Sequence, residues 1–292
     1  MSTVSESQII VPERRGPLSG PYNALADLGE AVLSFFETIG ETTLFALSTF
    51  GWLVRRLPRR DTVVTQMYQI GVLSVPVVAL TGTFIGMVLA VQSYHQFRAI
   101  GFETQLGGVI HKTMFRELGP VLAATMLAGR VGSAMAAELG TMRVTEQIDA
   151  LSSMGANPIQ YLVVPRFLSC LLLIPTLTVM AEFMGVAGGG WYCVYMLGID
   201  SHHYLSNAAA YVENWDLFYG IAKSVVFGAV IGLVGCHEGF HCKPGAEGVG
   251  RAATTAFVRS FVVIIVLDLF LSMVLDQVYL LIWPDGPMLF GA

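Results

Sequence analysis

From Thr62 to Phe97 the chain carries no Asp, Glu, Lys or Arg. About 20 helical residues, at about 1.5 Å each, cross a 30 Å hydrocarbon core, so this run exceeds what one crossing needs. It is read as a transmembrane helix near 67–92, with Gly82 and Gly86 in GxxxG register for close helix packing. Four more apolar runs follow, at about 105–138, 167–197, 216–236 and 256–282. Only 13% of the residues are charged and 54% are hydrophobic, where soluble domains carry about 25% charge. The fold class that follows is an all-α polytopic membrane protein with five transmembrane helices.

The flanks set the remaining organisation. Residues 1–23 are polar and hold Pro12, Pro17 and Pro21, which reads as a disordered tail without the apolar core of a signal peptide. Over 24–60, Leu25, Leu28, Val32, Phe35, Phe36 and Ile39 recur at helical spacing, while Asp27, Glu30, Glu37 and Glu41 rule out a crossing. This is the pattern of an interfacial helix lying along the membrane. Arg14, Arg15, Arg55, Arg56, Arg59 and Arg60 precede the first span, Arg143 and Arg166 lie between the second and third, and Lys243, Arg251 and Arg259 lie near the link between the fourth and fifth. The opposite loops hold Arg98 alone. By the bias of basic residues, the N-terminus is expected in the cytoplasm and the C-terminus outside. The net charge of −5 offers no footprint for nucleic acid, and Cys170, Cys193, Cys236 and Cys242 show no disulfide framework, the first two reading as small buried hydrophobes.

The most informative stretch is 116–158, RELGPVLAATMLAGRVGSAMAAELGTMRVTEQIDALSSMGANP. Its first part is too polar for an ordinary span, with Arg116, Glu117, Arg130 and Glu138. A charge at the bilayer centre costs about 2.5–3.5 kcal/mol on insertion scales, so such groups face a protein interior or a wet cavity. Neighbours on a helix point about 100° apart, so Arg116 and Glu117 each need a partner elsewhere. Lys223 in the fourth span and Asp268 in the fifth are the candidates, against a bland reading of all four as glue between helices. After an expected break at Gly140, Val144, Ile148 and Leu151 form one apolar stripe of a short amphipathic helix from Arg143 to Met154, with Gly155 placed as its C-terminal cap. In the first span Leu80, Phe84, Met87, Val88 and Val91 make an apolar stripe, which is either ordinary span packing or the wall of a lipid pocket.

The 116–158 motif, followed by VVPRF at 163–167, resembles the MlaE/YrbE permease family, the membrane subunits of MCE-type ABC lipid transporters. GVLSVPVVALTGTFIGMVLAVQSY (71–94) and GAEGVGRAATTAFV (245–258) are similar to the same family, so the resemblance runs over about 24–282, and it makes 61–292 the permease domain. It implies a homodimer in the bacterial inner membrane, each chain with an N-terminal interfacial helix, five spans and a coupling helix at about Thr141–Met154. That helix would contact a cytoplasmic ABC ATPase (MlaF-like) through Arg143, Thr145, Glu146, Gln147, Asp149 and Leu151. It further implies a partner MCE-domain protein (MlaD-like) and phospholipid or another lipid as cargo. The chain has no GxxxxGK[ST] pattern, so no cofactor is expected on it, and ATP and Mg are expected on the partner ATPase.

Two other classes compete. HEGFH at 237–241 satisfies HExxH, in which two His one helical turn apart hold zinc and Glu acts as base, so an intramembrane metalloprotease is a rival. Gly239, Pro244 and Gly245 speak against it. A non-transporting membrane scaffold is the third class.

Overall fold

The computed structural model describes residues 21–55 and 58–283. Most of the stretch read as a disordered tail, with Arg14 and Arg15, lies outside the described residues, as do Arg56 and the last nine positions. Among the described residues there is no strand, and five helices are long and apolar enough to cross a membrane: Arg60–Ala99, Leu106–Val144, Ile159–Tyr195, Asn214–Phe240 and Ala246–Ile282. We call them spans one to five. Each coincides with a run expected from sequence, falling short of it by two residues at most, and extends past it at one end or both; span three stops at Tyr195, before the expected 197.

A helix also covers Pro21–Arg55, where the apolar spacing predicts one. Within its part up to Leu44, Thr42 and Thr43 turn their hydroxyls back onto the carbonyls of Thr38 and Ile39. From Phe45 onward it belongs to the main body. Phe45 is buried edge-on to His237 and Phe50 edge-on to Phe167.

Span three is the keel of that body. Hydrophobic collapse does not drive helices together in lipid, so close van der Waals packing between small residues must do it. Gly82 and Gly86 of span one face Ala181 and Gly185 of span three, and Gly188 and Gly189 return the contact against Thr83 and Gly86. A Cβ on Gly86 would run into the backbone carbonyl of Gly185. Gly228 and Gly232 of span four dock on the other side, against Cys170, Ile174 and Phe167. Span five is clad least, with Val262, Val266, Leu269, Phe270 and Met273 all exposed.

Span two departs from a plain helix in a way no periodicity predicts. It contains π turns at Met114–Leu118 and at Ala128–Gly132, each holding one of its arginines. Such insertions interrupt the i→i−4 ladder and often occur at functional sites. The expected break at Gly140 is absent: the helix continues to Val144, with Gly140 buried against Cys242. The turn comes at Thr145–Glu146, where Glu146 takes a left-handed conformation with φ 59°.

Candidate functional site

Lys223 lies fully buried on span four. Its Nζ donates to Glu117 Oε2 at 2.7 Å and to the backbone carbonyl of Arg116 at 3.1 Å. Asp268 Oδ1 of span five stands 2.8 Å away, an ion pair without hydrogen-bond alignment. The Arg116 carbonyl lacks its α-helical donor for a covalent reason. In an α-helix the C=O of Arg116 would accept from the N–H of residue 120, but that residue is Pro120 and has none. Lys223 supplies the missing donor. Of the two candidates named for Arg116 and Glu117, Lys223 pairs with Glu117 while Asp268 pairs with Lys223 itself, and the ammonium ties spans two, four and five.

Arg116 points elsewhere, to acids not anticipated for it. Its Nη2 donates to Asp276 Oδ1 at 2.5 Å, and its Nε stands 3.6 Å from Asp216 Oδ1. Its guanidinium lies over the ring of Tyr219, 4.3 Å from the centroid, and Lys223 Nζ stands 4.8 Å from the same ring. The Tyr219 hydroxyl donates to the carbonyl of Ser272 at 3.2 Å. Asp216 also closes a capping box with Glu213 at the start of span four, which holds its carboxylate in place. Two cations thus meet four carboxylates, an arrangement of exchangeable ion pairs.

Glu182 of span three belongs to the same neighbourhood. It is completely buried, neither carboxyl oxygen has a hydrogen-bond partner among the described residues, and it packs against Gly119 of span two and Gly220 of span four. The sequence marks it only as an acid inside a span. Its neighbours Gly119 and Gly220 give no sign of it, because a glycine that makes room for a side chain reads like one that bends a helix.

The segment read as a coupling helix is shorter than expected. Helix covers only Gln147–Ser153, and Arg143 and Val144 still belong to span two. Gly155, at φ 78°, ends it: the N–H of Gly155 donates to Ser152 and that of Ala156 to Leu151, the paired bonds of a Schellman cap. Arg143, Thr145, Glu146, Gln147 and Asp149 are exposed, with Arg143 and Asp149 paired at 2.5 Å. Leu151 instead packs inward with Ile148 against Leu139, Leu162 and Phe45. Five of the six residues assigned to a partner ATPase thus share one open surface, and Leu151 braces it from beneath.

On span one, Leu80, Phe84, Val88 and Val91 are exposed and Met87 is half-buried. The stripe lies away from the glycine face that grips span three, so it is free for lipid or another chain. At the HEGFH motif the helix runs through Phe240 despite Gly239, whose missing side chain admits Leu139 and Ala136. His237 and His241 stack with ring centroids 4.3 Å apart. Glu238 is engaged by Arg259 and is not free to act as a base. Among the described residues no group of three or more His, Cys, Asp or Glu is arranged to hold a metal.

Comparison with known proteins decides between these classes. The family model described as Permease MlaE matches residues 63–274, which takes in Arg116, Glu117, Asp216, Lys223 and Asp268. The chain belongs to the MlaE permease family. A Rickettsia conorii relative, "Probable ABC transporter permease protein", is 40% identical over 245 residues, 84% of this chain and 95% of its own. The Haemophilus influenzae "Intermembrane phospholipid transport system permease protein MlaE" is 33% identical over 257 residues, 87% and 97% of the two chains. A chloroplastic Arabidopsis thaliana protein, trigalactosyldiacylglycerol 1, is 40% identical over 207 residues, 71% and 59% of the two. As an MlaE-type permease, this chain is a multi-pass ABC transport subunit rather than an enzyme.

Proposed function

We propose that this permease moves phospholipid or another hydrophobic lipid between the inner membrane and an outer-side MCE carrier. It works as a homodimer, with its N-terminus cytoplasmic, and a separate ATPase grips the surface around Arg143, Glu146, Gln147 and Asp149. The phospholipid assignment leans on the name of the Haemophilus relative. The observation that carries the reading is Lys223, a buried cation whose counter-charges come from two other spans. A group held by Glu117 on one side and Asp268 on the other can exchange partners as the spans shift, and a lipid headgroup can join that exchange. The bare stripe Leu80, Phe84, Met87, Val88 and Val91 supplies the apolar wall for acyl chains. ATPase docking rests on the exposed turn at Thr145–Glu146, rigidly continued from span two, so that a push on it moves the helix bearing Arg116 and Glu117.

The test replaces Lys223 or Arg116 with Ala in the assembled transporter and follows lipid export alongside ATPase coupling. Loss of export with the complex still assembled is the expected result. Normal export by a well-expressed variant would sink the proposal.

A further inference from the structure

Span two holds a second arginine, Arg130, whose charge no carboxylate of the described residues answers. Arg130 stands in the π turn Ala128–Gly132, 14 residues beyond Arg116, about 21 Å further along the helix. Its one hydrogen-bond partner among the described residues is the hydroxyl of Ser74, a fully buried residue of span one. That hydroxyl already donates to the carbonyl of Ile70 and offers Arg130 only a lone pair. A guanidinium has five N–H donors, and inside a span it needs an anion or several strong acceptors. No carboxylate of the described residues is in ion-pair range of it. Glu138, which lines the same cavity as Arg130, is paired with Arg166 at 2.9 Å.

Arg130 instead lines a cavity of about 400 Å³ between span one and span two. Gln66 and Gln69 stand on its wall, about 9 and 14 Å along the helix from Arg60. Neither side-chain amide has a hydrogen-bond partner among the described residues. Ile70, Leu73, Val131, Ala134 and Met135 add apolar surface, and Glu138, its charge taken up by Arg166, stands at the far edge of the same wall. A guanidinium flanked by amide donors and followed by apolar wall matches a phosphate monoanion with hydrocarbon attached. Arg presents a fork suited to phosphate oxygens, and such charge-assisted bonds are the strong ones.

We propose that Arg130, Gln66 and Gln69 hold the phosphodiester of a membrane phospholipid, at a station separate from the Lys223 cluster. The acyl chains leave along Leu73. The inference needs only the membrane-spanning reading, so transport through the Lys223 path can fail without touching it.

The test places a photo-crosslinking residue at Leu73 of the full chain in phosphatidylglycerol vesicles and reads captured lipid by mass spectrometry, without the ATPase. The expected result is capture of phosphatidylglycerol but not of diacylglycerol with the same chains. Arg130→Gln should reduce capture about tenfold, the scale of one charge-assisted hydrogen bond, while Arg130→Lys keeps most of it. Should Arg130→Gln fail to fold, Gln66→Ala with Gln69→Ala must lower capture with Arg130 intact. Undiminished capture in either case, or equal capture of diacylglycerol, overturns the proposal. Displacement by millimolar inorganic phosphate alone would reassign the site to a free anion, and a protein–protein crosslink at Leu73 would reassign it to a second copy; each likewise overturns it.

Discussion

Lys223 and Glu117, on different spans, are joined at 2.7 Å, and the same ammonium is shared with Asp268 at 2.8 Å. Sharing has an energetic signature. Glu117→Gln or Asp268→Asn alone leaves Lys223 one carboxylate, whereas the double change leaves a fully buried ammonium with none. Stranding a buried charge costs about 3 kcal/mol or more. The double variant should therefore lose more stability than the two singles summed, read as melting temperature in a double-mutant cycle. Strict additivity would show that the three groups do not act as a unit.

The glycine contact between spans one and three predicts a size limit. Gly86→Ala places a methyl against the Gly185 backbone and should destabilise the fold by about 1–3 kcal/mol, as overpacking does. Gly51→Ala is the control: nothing lies within 4 Å of its added Cβ, and a helix interior gains about 0.5–1 kcal/mol from Ala over Gly. Thermal unfolding in detergent should move the two variants in opposite directions.

Glu146 separates backbone from side chain. Its φ of 59° is a conformation that costs a non-glycine residue about 1 kcal/mol and glycine little. Glu146→Gly should leave the melting temperature unchanged or raised. If the carboxylate faces the ATPase as proposed, the same variant should bind the ATPase more weakly. A pull-down with undiminished ATPase would remove Glu146 from the docking surface.

Asp200 gives a pH dependence outside the spans. Its carboxylate accepts from the N–H groups of His202 (2.6 Å) and His203 (3.4 Å), which hold its pKa below the ordinary range. The folded value is thus the lower one, so the cap's contribution is complete above the unfolded Asp value of about 3.9 and is lost as pH falls through the folded value. The protection of the Ser201–Tyr211 amides against exchange, relative to the intrinsic rate at each pH, should fall on acidification in the natural chain. Asp200→Asn keeps a cap and should lose that dependence. Acid sensitivity that persists in Asp200→Asn would assign it to another group.

The spans were legible because uncharged length is a direct physical demand of the bilayer, and Lys223 was legible because two adjacent charges on a helix cannot share one direction. Arg116's partners were not. Asp216 stands at the boundary expected for span four, where an acid reads as an ordinary helix start, and Asp276 sits among apolar residues near the end of span five with nothing to mark it. The sequence does contain one unused sign: a proline four residues after Arg116 announces an orphan carbonyl. The π turns carry no such sign, since one extra residue in a turn leaves apolar spacing almost untouched. Gly140 was misleading for a related reason, because a glycine chosen to admit Cys242 resembles one chosen to end a helix.

Span five, bare along much of its outer face, meets the body along a buried stripe of Ala252, Ala256, Ser260 and Ile264 and through charge at separated points. Arg259 reaches Glu238 near one end, while Asp268 and Asp276 reach Lys223 and Arg116 further along. A helix fastened this way resembles a door hung on electrostatic latches. Releasing it would require those ion pairs to find other partners and the buried stripe to be uncovered, while the glycine contacts that join spans one, three and four would be left untouched.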